Sequence, residues 1–110
     1  MREESDPATL LIDHARFVWS EGMCSGDGHR VVEKSKGHDS IDLSDMPTAG
    51  ALLGVIDGMG RLTDVVRQDG EWIVAIRCGD ELQGYAADHL GEAAAWALLE
   101  LWGAEDEAVV

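Results

Sequence analysis

The sequence predicts a small α+β domain in which two helices precede a three-stranded antiparallel meander and a third helix follows it. Apolar residues recur at three- and four-residue intervals in three segments, 8–23, 47–59 and 88–103, as on amphipathic helices. Between the second and third segments, Asp69-Gly70 separates two β-rich runs, which is a strong hairpin signal. At 110 residues the chain suits one domain of two layers, with the helices on one face of the sheet.

The first helix is predicted to begin at Asp6-Pro7, because Asp accepts from free helical amides and Pro loses no hydrogen bond there. Its apolar face runs to Met23, and Gly22 is the predicted terminator. The next segment, 24–43, has glycines, serines and no long apolar pattern. It predicts an irregular loop, or a short hairpin formed by 30–33 and 40–43.

The second helix is predicted to begin at Ser44-Asp45 with Pro47 and to end at Gly58 and Gly60. The predicted strands follow as 61–67, 71–78 and 82–87. In the second strand, alternate residues share a face that is predicted to be buried: Trp72, Val74, Ile76 and Cys78.

Asp88 is the predicted cap of the last helix, which carries a broad apolar face and is predicted to stop at Gly103. The acidic tail, 104–110, is predicted to fray. The tryptophans of the helices predict burial in the core, with a surface for a second protein as the alternative.

Charge excludes several classes of function. Twenty-two acidic residues oppose eight basic ones, for a formal net charge of −14. Direct binding of nucleic acid or of anionic membranes requires the opposite sign, whereas a basic protein surface would be attracted. Solubility alone is the alternative explanation of the charge. With no apolar signal-peptide core and two cysteines, a cytoplasmic protein with free thiols is expected.

The stretch Cys24-Ser-Gly-Asp-Gly-His29 brings a thiol close to an imidazole. A nucleophilic thiol needs such a base, but acidic surroundings disfavour the thiolate, and an ordinary solvated loop is the preferred interpretation. A tetrahedral zinc site built from Cys24, His29, His38 and Cys78 is the alternative, although close cysteine pairs at fixed spacing are missing. We therefore expect no enzyme activity and no cofactor, and the metal question stays open.

Two family resemblances follow from the element order. From Pro47 onward the order resembles the double-stranded-RNA-binding domain, but Asp88–Glu92 has no lysine where that family contacts RNA, so RNA binding is not expected. The stretches EWIVAIRCG (71–79) and GEAAAWALLELW (91–102) resemble the phage ABA sandwich domain. This second resemblance covers about half the chain and implies a phage or prophage origin without known catalytic residues.

Together these observations predict a non-catalytic acidic protein that blocks the basic, nucleic-acid-binding surface of a host protein, in the manner of CRISPR inhibitors or DNA mimics. The alternatives are a self-associating phage scaffold protein, active as a homodimer or larger, and a small zinc-stapled module. The carboxylates predicted to bind the partner form two groups along the chain: Asp39, Asp42, Asp45 and Asp57, then Asp69, Glu71, Asp80 and Glu81.

Overall fold

A computed structural model describes residues 7–14, 16–17, 23–24, 41–78 and 80–108, the last five of these by their backbone alone. In chain order the elements are α1 (Pro7–Asp13), α2 (Met46–Gly58), β1 (Leu62–Gln68), β2 (Glu71–Cys78), β3 (Glu81–Ala87) and α3 (Leu90–Ala108). The predicted α+β class and order of elements are confirmed. Within these ranges, no helix combines the length and the apolarity needed to cross a bilayer.

The sheet is an antiparallel meander with the strand order β1-β2-β3. Val74 at its centre pairs with Val65 on one side and Tyr85 on the other. The predicted hairpin between β1 and β2 is confirmed, since Asp69 and Gly70 have φ of 54° and 83°. Positive φ at both central residues is what a two-residue type I′ hairpin requires.

Helix α3 lies at the centre of the fold and contacts α1, α2, β2 and β3. Its small residues Ala93, Ala94, Ala95 and Ala97 are all fully buried. Small side chains let neighbouring elements approach the helix from more than one side, which explains an alanine-rich sequence at this place.

Helix α2 begins and ends at the predicted residues. Asp45 is its N-cap, and Pro47 lies in its first turn, where a missing amide hydrogen removes no helical bond. Its buried face includes Leu52 and Ile56, which pack into the common core. Beyond its end, Gly60 has a φ of 74°, which glycine adopts without a steric penalty.

Two predicted helix ends differ from the structure. Helix α1 ends at Asp13, well before Gly22, because the His14 ring turns back on the chain and its Nδ1 accepts from the Arg16 amide at 3.1 Å. Such side-chain to backbone bonds compete with helix continuation. Helix α3 passes through Gly103 to Ala108, since interior glycine costs only about 1 kcal/mol and alanine and glutamate follow. The hairpin predicted for 24–43 falls mostly on 25–40, outside the described residues.

Candidate functional site

Four exposed carboxylates stand at the two opposite ends of the sheet, and exposed Asp64 lies between them on β1, in register with Ala75. Asp69 and Glu71 stand at the β1–β2 turn, which we call the hairpin end, and Asp80 and Glu81 stand at the β2–β3 turn, which we call the distal end. All four are exposed. Strand β2 runs the whole way between them, a distance of roughly 25 Å at the usual rise per residue. The structure therefore separates two groups that the sequence suggested as one cluster.

The distal end carries more negative charge than the sequence predicted. Exposed Asp57 belongs to it, because α2 leads into β1 here and the Arg77 amide donates to the Arg61 carbonyl at 2.9 Å. Exposed Glu100 of α3 also lies here, close enough for its charge to raise the pKa values of two neighbouring side chains. Sequence reasoning missed Glu100, since only the packing of α3 on the sheet brings it to this end.

The hairpin end also gains a carboxylate. Trp72 pairs with Ala87, so Asp88 lies one position beyond the last pair, beside Glu71. Asp88 is exposed, as Glu71 is. The predicted role of Asp88 is that of a helix cap, but α3 begins at Leu90, and the His89 carbonyl accepts from the amide of Glu92 at 3.1 Å.

Two of the predicted binding carboxylates stabilise the fold. Asp42 Oδ1 accepts from both the amide and the hydroxyl of Ser44. Asp45 Oδ2 accepts from the Thr48 amide at 3.0 Å and from the Thr48 hydroxyl at 2.8 Å. Both aspartates are half-buried, and these bonds hold Asp42 against the segment before α2 and Asp45 against the first turn of α2. Asp39 lies outside the described residues.

A cavity of about 240 Å³ opens beside the start of α3. Apolar and ionisable side chains share its wall: Pro7, Ala8, Ile41, Asp42, Leu43, Ser44, His89 and Glu92. The Ser44 hydroxyl donates to Asp42, so it is not paired with His89 as a serine nucleophile would be with its base. The cavity is small for a ligand site, and its two carboxylates oppose an anionic ligand.

Both cysteines are free thiols that are shielded from solvent, one fully and one in part. Cys24 is buried, and its amide donates to Thr48 Oγ1 at 2.8 Å. Cys78 is half-buried at the distal end, where burial first and the charge of Glu100 second raise the pKa of its thiol. A raised pKa keeps the thiol protonated and weakens it as a nucleophile.

The alternative of a zinc site would use two cysteines and two histidines, Cys24, Cys78, His29 and His38. In the described part of the chain, His, Cys, Asp and Glu side chains nowhere come together in threes as a metal site requires. His29 and His38 lie outside the described residues, so the proposed zinc set is not tested by this arrangement. His14, which the structure does describe, contacts an aromatic residue: the centre of its ring lies 4.6 Å from that of Trp102.

Comparisons with protein-family models, with curated proteins and with solved structures found no match for this chain. Its function is therefore inferred from its own charges, contacts and burial.

Proposed function

We propose that this chain is a non-catalytic acidic binding protein that covers the basic, nucleic-acid-binding surface of another protein. The observation that carries the proposal is the display of exposed carboxylates at both ends of one sheet. Within the described residues, no hydrogen bond engages the carboxylates of five of them: Asp57, Asp69, Glu71, Asp80 and Glu81. From Ile41 to the last residue the chain has fourteen acidic residues and three basic ones, and no lysine.

The carboxylates stand on defined backbone. Asp69 is held in a left-handed turn, Glu71 begins β2, and Asp57 lies in the last turn of α2. Groups held in place lose less conformational entropy on binding than the same groups on a disordered acidic tail. Carboxylates at fixed separations can therefore substitute for phosphates opposite Arg and Lys clusters, with charge-assisted hydrogen bonds.

A phage or prophage inhibitor, acting in the cytoplasm on host defence machinery of the CRISPR type, is the setting we propose. This setting rests on the resemblance of Glu71–Gly79 and Gly91–Trp102 to the phage ABA sandwich domain, which no family model matched. The alternative of a scaffold that self-associates through aromatic helices receives less support. Trp102 is only 5% exposed and stacks against His14 inside its own chain.

The proposal predicts inhibition of nucleic-acid binding that depends on charge position. Purified RNA-guided nuclease complexes would be mixed with labelled target DNA, and fluorescence anisotropy would follow DNA binding as this protein is added. We expect loss of DNA binding, with an effect that weakens as salt rises from about 50 to 500 mM because exposed charges are screened. An unchanged DNA affinity across the tested nucleases would contradict the proposal.

Matched variants separate specific carboxylates from net charge. One variant reverses the hairpin end with Asp69→Lys and Glu71→Lys. The control makes the same four-unit change in net charge elsewhere, with Asp13→Lys, Gly50→Lys and Gly54→Lys at exposed helix positions. The hairpin-end variant should inhibit at least tenfold less, and the control should stay within about threefold of the native protein. Equal losses in both variants would mean that net charge alone acts. Circular dichroism verifies that each variant is folded.

A further inference from the structure

The sheet has a second face, which we call the outer face, turned away from the described helices. Alternation along the strands places six small or apolar residues on it: Val66, Ile73, Ala75, Leu82, Gly84 and Ala86. The buried residues of the central strand, Val74 and Ile76, point to the opposite face, where α3 packs. Val66 and Leu82 are 39% and 59% exposed, so large apolar side chains on this face meet solvent.

In the middle of the outer face, the side chains on β2 and β3 are apolar and mostly small. Val66, Ile73 and Ala86 form one row across the three strands, and the next row is formed by Ala75 and Gly84 with exposed Asp64 at its β1 side. Ile73 leans over Gly84, since a Cβ at position 84 would be 3.4 Å from Ile73 Cγ2. Glycine and alanine therefore leave a shallow floor between the taller side chains.

Negative charge flanks this floor at both ends of the strands. Asp69 and Glu71 lie at the hairpin end and Asp80 lies at the distal end, whereas Glu81, in register with Cys78, belongs to the opposite face. Among the described residues, Arg77 is the one basic side chain on this face, in register with Leu82. The pattern is thus a mainly apolar strip of roughly 13 Å, from the level of Ile73 to that of Leu82, between acidic ends that lie about 25 Å apart.

We propose that the outer face docks an amphipathic helix of the basic partner, with apolar side chains on the floor and Lys or Arg at each helix end. This inference rests on the proposed function and names the surface that performs it. The roughly 25 Å between the two acidic ends matches about 17 residues of helix at 1.5 Å per residue, so the basic helix ends would reach the carboxylates while the middle lies on the apolar strip. Three strands span roughly 14 Å, which fits the diameter of one helix.

A second copy of the chain is a poorer occupant. Two copies would bring acidic ends together, and each carries a formal charge of −14. The three-stranded face offers roughly 350 Å², well below the roughly 800 Å² per partner of a standard stable interface. Charge complementarity instead favours an apolar segment with basic ends.

Two designed peptides provide the probes. Both have 18 residues, three lysines at each end and a helix-forming middle, but one carries a leucine stripe where the other carries glutamine. Isothermal titration calorimetry at about 150 mM salt compares them, a concentration at which the Debye length is roughly 8 Å. We expect the leucine peptide to bind at least tenfold more tightly, because only it buries apolar area on the floor.

Variants of the protein locate the peptide. Val66→Ser with Leu82→Ser should weaken the leucine peptide about tenfold and leave the glutamine peptide within twofold. The control is Leu10→Ser with Met46→Ser, which removes two large exposed apolar side chains, 38% and 54% exposed, away from the sheet. That control should bind both peptides as the native protein does. All four substituted side chains are exposed, so the variants are expected to fold.

The outcomes distinguish this inference from the proposed function. Equal affinity for the two peptides, or an equal loss in the Leu10/Met46 control, would overturn the docking surface while leaving the charge-based function standing. Failure of both peptides to bind even at about 50 mM salt would overturn the proposed function itself. A concentration-dependent dimer that Val66→Ser with Leu82→Ser abolishes would show a second copy on the face, and would also overturn the inference.

Discussion

Gly91 in the first turn of α3 lies directly against the backbone of Leu43. A Cβ at position 91 would overlap the Leu43 carbonyl oxygen and lie 2.9 Å from the carbonyl carbon. Gly91 and Leu43 are both buried, and Leu43 immediately precedes the residues that begin α2. Position 91 requires glycine because any side chain would collide with the Leu43 backbone, and not because of its own backbone conformation. This close approach joins the segment before α2 to the central helix.

Replacing Gly91 by alanine should therefore destabilise the protein, by about 1–3 kcal/mol or more, because backbone cannot move aside as a flexible side chain would. Gly54→Ala is the matched control: position 54 is exposed in α2, and a Cβ added there would meet no other part of the chain within 4 Å. That control should stabilise by about 0.5–1 kcal/mol through helix propensity. Urea unfolding followed by tryptophan fluorescence measures both, and equal effects would contradict the steric explanation.

The fully buried Thr48 hydroxyl links the start of α2 to the segment around Cys24. It accepts from the Cys24 amide at 2.8 Å and donates to Asp45 Oδ2 at 2.8 Å. Thr48→Val keeps the shape but leaves the Cys24 amide buried without its acceptor, which should cost about 1–3 kcal/mol. Thermal unfolding with the full four-variant cycle of Thr48→Val and Asp45→Ala should show coupling of at least about 0.5 kcal/mol. Strictly additive losses would show that the two groups act separately.

The hairpin turn makes different demands on its two central residues. Gly70, with φ of 83°, should lose about 1 kcal/mol or more on substitution by alanine, because a Cβ is strained in the left-handed region. At Asp69, with φ of 54°, asparagine should be tolerated within about 0.5 kcal/mol, whereas valine should cost clearly more. Denaturant midpoints rank the three variants, and a harmless Asp69→Val would contradict the turn geometry.

Local signals explain which parts of the fold the sequence predicted correctly. The Asp45 cap with Pro47, and the Asp69-Gly70 turn, act through neighbouring residues, so their elements were predicted closely. Helix α1 ends early because of His14, whose ring contacts distant Trp102, a tertiary contact that no local pattern reveals.

The candidate surface was predicted less completely than the fold. Asp69, Glu71, Asp80 and Glu81 are exposed, as the sequence predicts for charged residues at or beside turns. Their separation to opposite ends of β2, and the arrival of Glu100 at one of those ends, depend on strand direction and on the packing of α3.

Tyr85 offers a pH-dependent test of the distal end. Burial first, and the Glu100 carboxylate second, raise the pKa of Tyr85 to about 12, and its hydroxyl donates to Gln83 Oε1 at 2.7 Å. Tyr85 is the single tyrosine of the chain, so absorbance at about 295 nm reports the ionisation of this residue alone. The pKa of Tyr85 should be about 12 in the folded protein and about 10 in the urea-unfolded chain. Glu100→Gln should lower the pKa of Tyr85 in the folded protein.

The same shift predicts how stability depends on pH. Because the folded pKa lies above the unfolded one, the native state holds more protons between the two values, and the free energy of unfolding falls as pH rises. The contribution of Tyr85 should be fully present below about pH 10 and lost as pH rises through about 12. Tyr85→Phe should flatten this part of the profile, measured as the difference from the native protein by urea unfolding at each pH. A folded-state titration midpoint near 10 would show that Tyr85 is neither shielded from water nor close to Glu100.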